Sequence, residues 1–316
     1  MILPISVIIP TMNRPNSLDK TLRTMAEACD IPQEIIVVDQ SGDEITRNEN
    51  CKVLNSYECI PSKIYIYQQI PSSTKARNNG LTRVSNDIVV FSDDDVEVPI
   101  DVFTNISHLM RDENIVLIAG IDELDQQSKT HVGYFLGTKS YFNRKIGHVT
   151  FSMLSRYPDN INTQVETQWA QGYFFVVRKC YLDKWNIKWD ENLTSYAYAE
   201  DLDFTYTYYK CARKEGLRCI LDPSVHVKHL ATLEFRVPSV KSIYMYIVNR
   251  KYLSHKHKMG VMGVLGRNWC EFWRFIQHVI SRQHPRIFFK AYLCKFKYSK
   301  DIKNGKLDYD KFMNSK

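Results

Sequence analysis

Three consecutive carboxylates, Asp93-Asp94-Asp95, close the apolar run Ile88-Val89-Val90-Phe91-Ser92. If that run is a strand, Asp93 and Asp95 face one side and Asp94 the other. Like charges held this close raise one another's pKa unless something positive stands between them. Hard divalent cations meet that need, and Mg²⁺ typically takes one or two carboxylates together with substrate phosphates. The chemistry on offer is a strand-end metal site serving a phosphorylated substrate. The alternative is an acidic turn in water, or a helix N-terminus ahead of Pro99 that welcomes negative charge. A second acidic group, Glu200, Asp201 and Asp203, opens a helix-like stretch with apolar positions at Leu202, Tyr206 and Tyr209. Acids in a first turn also simply suit the helix dipole.

These residues need elements to hold them. Ile5-Ser6-Val7-Ile8-Ile9-Pro10 reads as a strand buried on both faces, followed by the loop Thr11-Met12-Asn13-Arg14-Pro15. Ser17 to Ala28 has helical spacing through Leu18, Leu22 and Met25. Glu34 to Asp39 is a second strand ending in an acid, and Lys63 to Gln68 a third. Ser72-Ser73-Thr74 supplies N-caps for a helix through Ala76-Arg77-Asn78-Asn79-Gly80-Leu81. Gln171 to Arg178 and Arg218 to His229 read as later strands, whereas 122–165 carry no readable pattern. Strands alternating with helices predict an α/β fold, a mainly parallel sheet with helices on both faces. Ligands of such sheets bind outside the carboxyl ends of the strands. Thr11, Asp39 and Asp93–Asp95 all fall there. Neither G-x-G-x-x-G nor G-x-x-x-x-G-K-[ST] occurs, which disfavours a Rossmann dehydrogenase or a P-loop ATPase.

In 316 residues, 44% hydrophobic and 24% charged, no apolar run approaches the roughly 20 residues that span a bilayer. Met1-Ile2-Leu3-Pro4 leads straight into a strand without a basic export segment. The expectation is a cytoplasmic protein, peripheral at most on the inner face of the plasma membrane. Eight cysteines form no C-x-x-C pair and read as free thiols. The net charge of +7 is divided unevenly: residues 236–316 hold 18 Lys and Arg against 4 Asp and Glu, and 1–235 are net acidic. The predicted division is 1–235, in halves 1–120 and 121–235, then a basic amphipathic helical region 236–316. From Val261, the spacing Leu265, Trp269, Phe272, Ile276, Val279 draws an apolar stripe, with Arg267, Arg274 and Arg282 off it. Two readings stay open: an anionic membrane surface contacted through 261–300, or packing on the rest of the chain or a partner subunit. Nucleic acid is not expected, since no recognition module accompanies the charge. Oligomeric state is not indicated.

In this order, the motifs resemble the family 2 glycosyltransferases of the GT-A fold over roughly residues 4–230. Val7-Ile8-Ile9-Pro10-Thr11-Met12-Asn13-Arg14 is similar to the family's opening strand and nucleotide loop, and Asp39 to its nucleoside-recognising acid. The chain departs there, with Asp39-Gln40-Ser41-Gly42 in place of Asp-Asp-Gly-Ser. Ala76-Arg77-Asn78-Asn79-Gly80 matches Ala-Arg-Asn-x-Gly, and Asp93-Asp94-Asp95 matches Asp-x-Asp. Gly172-Tyr173-Phe174-Phe175 resembles the acceptor-side segment, and Glu200-Asp201 the pair that carries the catalytic base. The resemblance implies an inverting transfer from a nucleotide-sugar, a UDP-sugar foremost, to a hydroxyl of a glycan or lipid-linked acceptor, with Mn²⁺ or Mg²⁺ on the diphosphate. It also implies that 1–120 is the nucleotide-binding half and 121–235 the acceptor-binding half, with Asp201 as the base, beside Glu200. Pro10, Thr11, Asn13, Arg14, Asp39, Arg77, Asp93 and Asp94 would hold the nucleotide. Asp95 would ligate the metal, Asp93 would meet ribose or the metal through water, and Asp94 stays open. His226 is the candidate third ligand; His229, three residues on, would face the other side of a strand. The rival readings are a sugar nucleotidyltransferase and a non-catalytic sugar-nucleotide-binding scaffold.

Overall fold

A computed structural model describes the chain except residues 124–130, 138–140, 143–145, 159–160, 195–197, 231–238 and 315–316. The β-branched runs form β1 (Ile2–Thr11) and β2 (Ile31–Asp39), with Val7, Ile9, Ile35 and Val37 fully buried. Between them α1 (Pro15–Ala26) begins on a proline, whose missing N–H is harmless in a first turn. It buries Leu18, Leu22 and Met25. α2 (Glu44–Ser56) is capped by Asp43, which accepts from the Thr46 N–H at 2.8 Å. β3 (Ser62–Tyr67), α3 (Ser73–Leu81) and β4 (Ile88–Ser92) follow. Then come β5 (Val96–Glu97), α4 (Val102–Leu109) and β6 (Ile115–Asp122). The stretch without a readable pattern contains α5 (His131–Leu136), β7 (Tyr141–Phe142), β8 (His148–Val149) and β9 (Ser155–Pro158), strands too short for alternation to show. β10 (Val165–Glu166), β11 (Phe174–Arg178), α6 (Lys179–Trp185), α7 (Glu200–Lys214) and β12 (Arg218–His229) come next. The C-terminal helices are α8 (Ser239–Lys256), α9 (Gly260–Ile280), α10 (Pro285–Lys297), α11 (Ser299–Lys303) and α12 (Tyr309–Met313).

The chain divides into two units, 1–126 with 160–190 and 201–235, and 127–159 with 191–200 and 236–316. The boundary drawn from charge at residue 235 marks only the start of the last of these segments. In the first unit the sheet order is β10-β12-β6-β11-β4-β1-β2-β3, with β5 paired to β12. β4-β1-β2-β3 are parallel, so the ends of β1, β2 and β4 lie side by side, with Thr11 opposite Asp39. β11 inserts antiparallel between β4 and β6. It therefore begins where β4 ends, and Phe174 stands opposite Ser92.

β12 is irregular in a way that matters below. Leu221 pairs with Ala119 and His226 with Ile121, so residues 222–225 stand against Gly120 alone. The bulge is closed by Asp222, which accepts from the Ser224 N–H at 3.0 Å and its hydroxyl at 2.7 Å. Beyond it β12 stays with β6 for two pairs, His226 with Ile121 and Val227 with Asp122, and then pairs with β5, His229 opposite Val96.

In the second unit α8 carries fully buried polar side chains, each held by a specific partner. Arg250 donates through Nε and Nη2 to the Ser152 carbonyl at 3.0 and 2.7 Å, and Asn249 donates to the Tyr198 carbonyl at 2.9 Å. Buried charges survive only when paired in this way. Among the described residues, no helix is long and apolar enough to cross a membrane.

Candidate active site

The strand-end acids gather into one cluster, although not as strand residues. β4 ends at Ser92, and Asp93-Asp94-Asp95 form the turn into β5. This corrects the expectation that strand alternation sets their directions. The Asp93 N–H donates to the Tyr173 carbonyl at 2.9 Å, which ties the turn to the start of β11.

Each carboxylate has its own partners. Asp94 is buried; its Oδ2 accepts from Thr11 Oγ1 at 2.7 Å and its Oδ1 from Arg14 Nη1 at 3.0 Å. Burial pushes it up to about 7, against the pull of Arg14 and Thr11. Asp94 thus joins the loop after β1 to the acidic turn. Arg77, buried on α3, donates from Nη2 to Asp93 Oδ1 at 2.9 Å and to the Gly172 carbonyl at 3.4 Å. Its guanidinium lies 4.5 Å from the ring centroid of Trp189. That indole stacks on Phe204 at 4.3 Å and meets the edge of Phe91 on β4. Asn78 fixes the Trp189 backbone in both directions, donating to its carbonyl and accepting from its N–H, each at 3.0 Å. The arginine therefore lies over an aromatic block that its neighbours hold in place.

His226 and His229 exchange the places the sequence reading assigned them. His226 Nε2 lies 2.9 Å from Glu123 Oε1 and does not reach the acids. His229 Nε2 lies 3.4 Å from Asp95 Oδ1, and its ring stacks on Tyr173 at 5.0 Å. The cause is the bulge in β12, which shifts the phase of the strand, and the β5 pairing, which draws its end toward Asp95. Local alternation carried neither signal. Asp93, Asp95 and His229 offer ligand atoms all within 4.8 Å of one another. Burial works against a charged His229, but the Asp95 hydrogen bond and the charges of Asp93, Asp95 and Asp122 outweigh it and raise its pKa. Asp93 is raised as well, by loss of water contact and by Asp95, with Arg77 opposing. Two carboxylates and an imidazole this close together are a donor set that suits Mn²⁺, and the oxygens suit Mg²⁺.

Asp201, in the first turn of α7, accepts from the Gly172 N–H at 2.9 Å through Oδ2 and from its neighbour Leu202 N–H at 2.7 Å through Oδ1. Burial raises its pKa despite these bonds and Arg77. Gly172 has Arg77 on its carbonyl and Asp201 on its N–H. A Cβ there would lie 3.2 Å from Asp201 Cβ and 3.4 Å from Arg77 Nη2. Glu200 belongs to the second unit, where its charge adds to burial in raising Tyr309.

The expected nucleoside residues take more varied positions. Pro10 and Thr11 end β1. Asn13 has a left-handed backbone, φ 57°, and its N–H donates to Ser41 Oγ at 2.8 Å. Asp39 is fully buried, with Ser41 N–H and hydroxyl on Oδ1 and Asn50 and Tyr65 on Oδ2, at 2.5 to 2.8 Å. In this conformation its carboxylate organises the 39–42 loop. Asn50, Tyr65 and Trp189 are supporting residues that sequence reasoning did not find, and Ser41 and Tyr173 fell inside its motifs without a role of their own.

The sheet and its strand-end carboxylates define a GT-A fold. The family model "Glycosyl transferase family 2" matches residues 6–185, and the chain belongs to that family. A validoxylamine A glucosyltransferase of Streptomyces hygroscopicus subsp. limoneus is 34% identical over 93 residues, a stretch that is 28% of this chain and 20% of that protein. The chain therefore matches only about a fifth of that relative's length. TarS 1–349 of S. aureus superposes with a TM-score of 0.55 at 16% identity, covering 99% of this chain and 81% of that one. The mannosyltransferase PcManGT of Pyrobaculum calidifontis, solved with GDP-Man and Mn²⁺, gives 0.54 at 13% identity, covering 98% and 84%.

Proposed function

We propose that the chain transfers a sugar from a nucleoside-diphosphate sugar, most simply a UDP-sugar, to an acceptor hydroxyl of a glycan or lipid-linked molecule with inversion at the anomeric carbon. The observation that carries this reading is the bridge Asp93–Arg77–Gly172–Asp201. It supports the reading because Asp201 and the acidic cluster lie on either side of one glycine. Thr11, Asn13 and Arg14 would line the nucleotide. Asp93, Asp95 and His229 would hold a divalent cation, Mn²⁺ or Mg²⁺, which when bound neutralises charge on the departing diphosphate. Asp201 takes the proton of the attacking hydroxyl, and the two N–H groups that hold its oxygens orient it for that role. A raised pKa makes it a better base than an ordinary aspartate. Solved relatives support the donor class: TarS has been crystallised with UDP-GlcNAc, and PcManGT with GDP-Man and Mn²⁺.

The test is nucleoside diphosphate release from a panel of sugar nucleotides with Mn²⁺ or Mg²⁺, alongside Asp201→Asn. Turnover in the variant should fall roughly 10²–10⁴-fold while donor binding persists. Unchanged turnover would refute the base assignment.

A further inference from the structure

Helix α9 is built inside out. Its inward side holds Arg267, Cys270 and Glu271, and the fully buried Glu271 pairs with Arg267 and Lys295. Its outward side carries Val261, Leu265, Phe272 and Val279, 46 to 74% exposed, at spacings that keep them on one helical face. The stripe widens through an aromatic chain. Phe272 meets Trp273 at 5.3 Å, Trp273 meets Trp269 at 5.7 Å, and Trp269 meets the exposed Phe135 of α5 at 5.6 Å. α10 continues it with Phe289, Leu293 and Phe296, each at least 50% exposed, and Phe289 lies 6.1 Å from Phe275 of α9. Isolated exposed apolar residues need no explanation, but a contiguous face across two packed helices does.

Charge selects the occupant. Between residues 260 and 297 the one acid is the buried Glu271, while Arg282, Arg286, Lys290 and Lys297 are exposed. A second copy would bring a like-charged surface against this one. An anionic bilayer satisfies both features, taking aromatic rings at the headgroup boundary and cations against lipid phosphates. We propose that the outward face of α9 and α10 is a membrane-docking surface, the helices lying in the plane of an anionic lipid interface. This stands independently of the donor chemistry above.

The test is co-sedimentation of the full chain with phosphatidylcholine vesicles, with and without phosphatidylglycerol. Partitioning should be at least about tenfold stronger with the anionic lipid and should weaken as salt rises. Leu265→Ser with Phe272→Ser should lower it about tenfold or more, as should Arg286→Glu with Lys290→Glu. Neither pair should change thermal unfolding or nucleoside diphosphate release from a soluble donor. Absence of anionic-vesicle binding, or binding that survives both pairs, overturns the proposal. So does self-association without lipid binding that the Leu265/Phe272 pair abolishes, which would assign the face to a second copy. Failure of nucleoside diphosphate release would count against the proposed transfer reaction alone.

Discussion

Gly172 carries a role that its size alone makes available. Its carbonyl and N–H are claimed by Arg77 and Asp201. Gly172→Ala puts a methyl 3.2 Å from Asp201 Cβ, so Asp201 must shift. The expected outcome is at least a tenfold fall in kcat with stability lowered by no more than about 1–3 kcal/mol, read by steady-state kinetics and calorimetry. The histidines separate by metal dependence. His229→Ala should raise the Mn²⁺ concentration needed for half-maximal turnover by at least about tenfold, whereas His226→Ala should leave it unchanged. Equal effects in a metal titration would dissolve the distinction. The acids were legible in the sequence because Asp93-Asp94-Asp95 and Asp201 announce themselves by charge in apolar surroundings. The histidine was not, because its direction depends on a bulge and a two-residue strand. The saturation of Asp39 was also hidden, since its donors come from three separate elements.

At the level of elements, α3 rides close on β1. A Cβ on Gly80 would meet Ile8 Cγ2 at 2.5 Å, so Gly80→Ala should destabilise by about 1–3 kcal/mol by calorimetry. That outcome reverses the roughly 1 kcal/mol an exposed helix gains from the same change. In α8, burial and the charges of Arg267, Lys295 and Lys303 depress Lys251 to about 8 from the ordinary 10.5. Its folded pKa lies below its unfolded one, so between these values the unfolded chain binds more protons. Stability should therefore rise as pH climbs from about 8 toward 10.5, and Lys251→Met should flatten that rise in thermal melts. Parallel strands and their helices were readable because continuous β-branched runs and 3.6-residue spacing are local signals. The antiparallel insertion of β11 was not, because strand order is decided by partners far away in the chain.

For the molecule as a whole, the unit that holds the C-terminal helices is more than the stretch after residue 235. The second unit needs 127–159 and 191–200 as well as the C-terminal helices. Ser152 satisfies Arg250, and the Tyr198 carbonyl satisfies Asn249. A 1–235 truncation should therefore aggregate or bind a dye for exposed apolar surface; a monodisperse, cooperatively folding product would contradict this. Charge asymmetry was visible in composition, but the gathering of three separated segments into one unit leaves no local trace. The bulge at residues 222–225 has a consequence of a different kind. Upstream of it β12 keeps step with β6, and downstream it holds β6 for two pairs and then β5 for two, so the bulge works like an escapement between two gear trains. Removing one residue there would leave both trains intact but advance the second by one tooth. Leu230 would then stand where His229 stands, and Asp93 and Asp95 would lose their imidazole neighbour with every strand still in place.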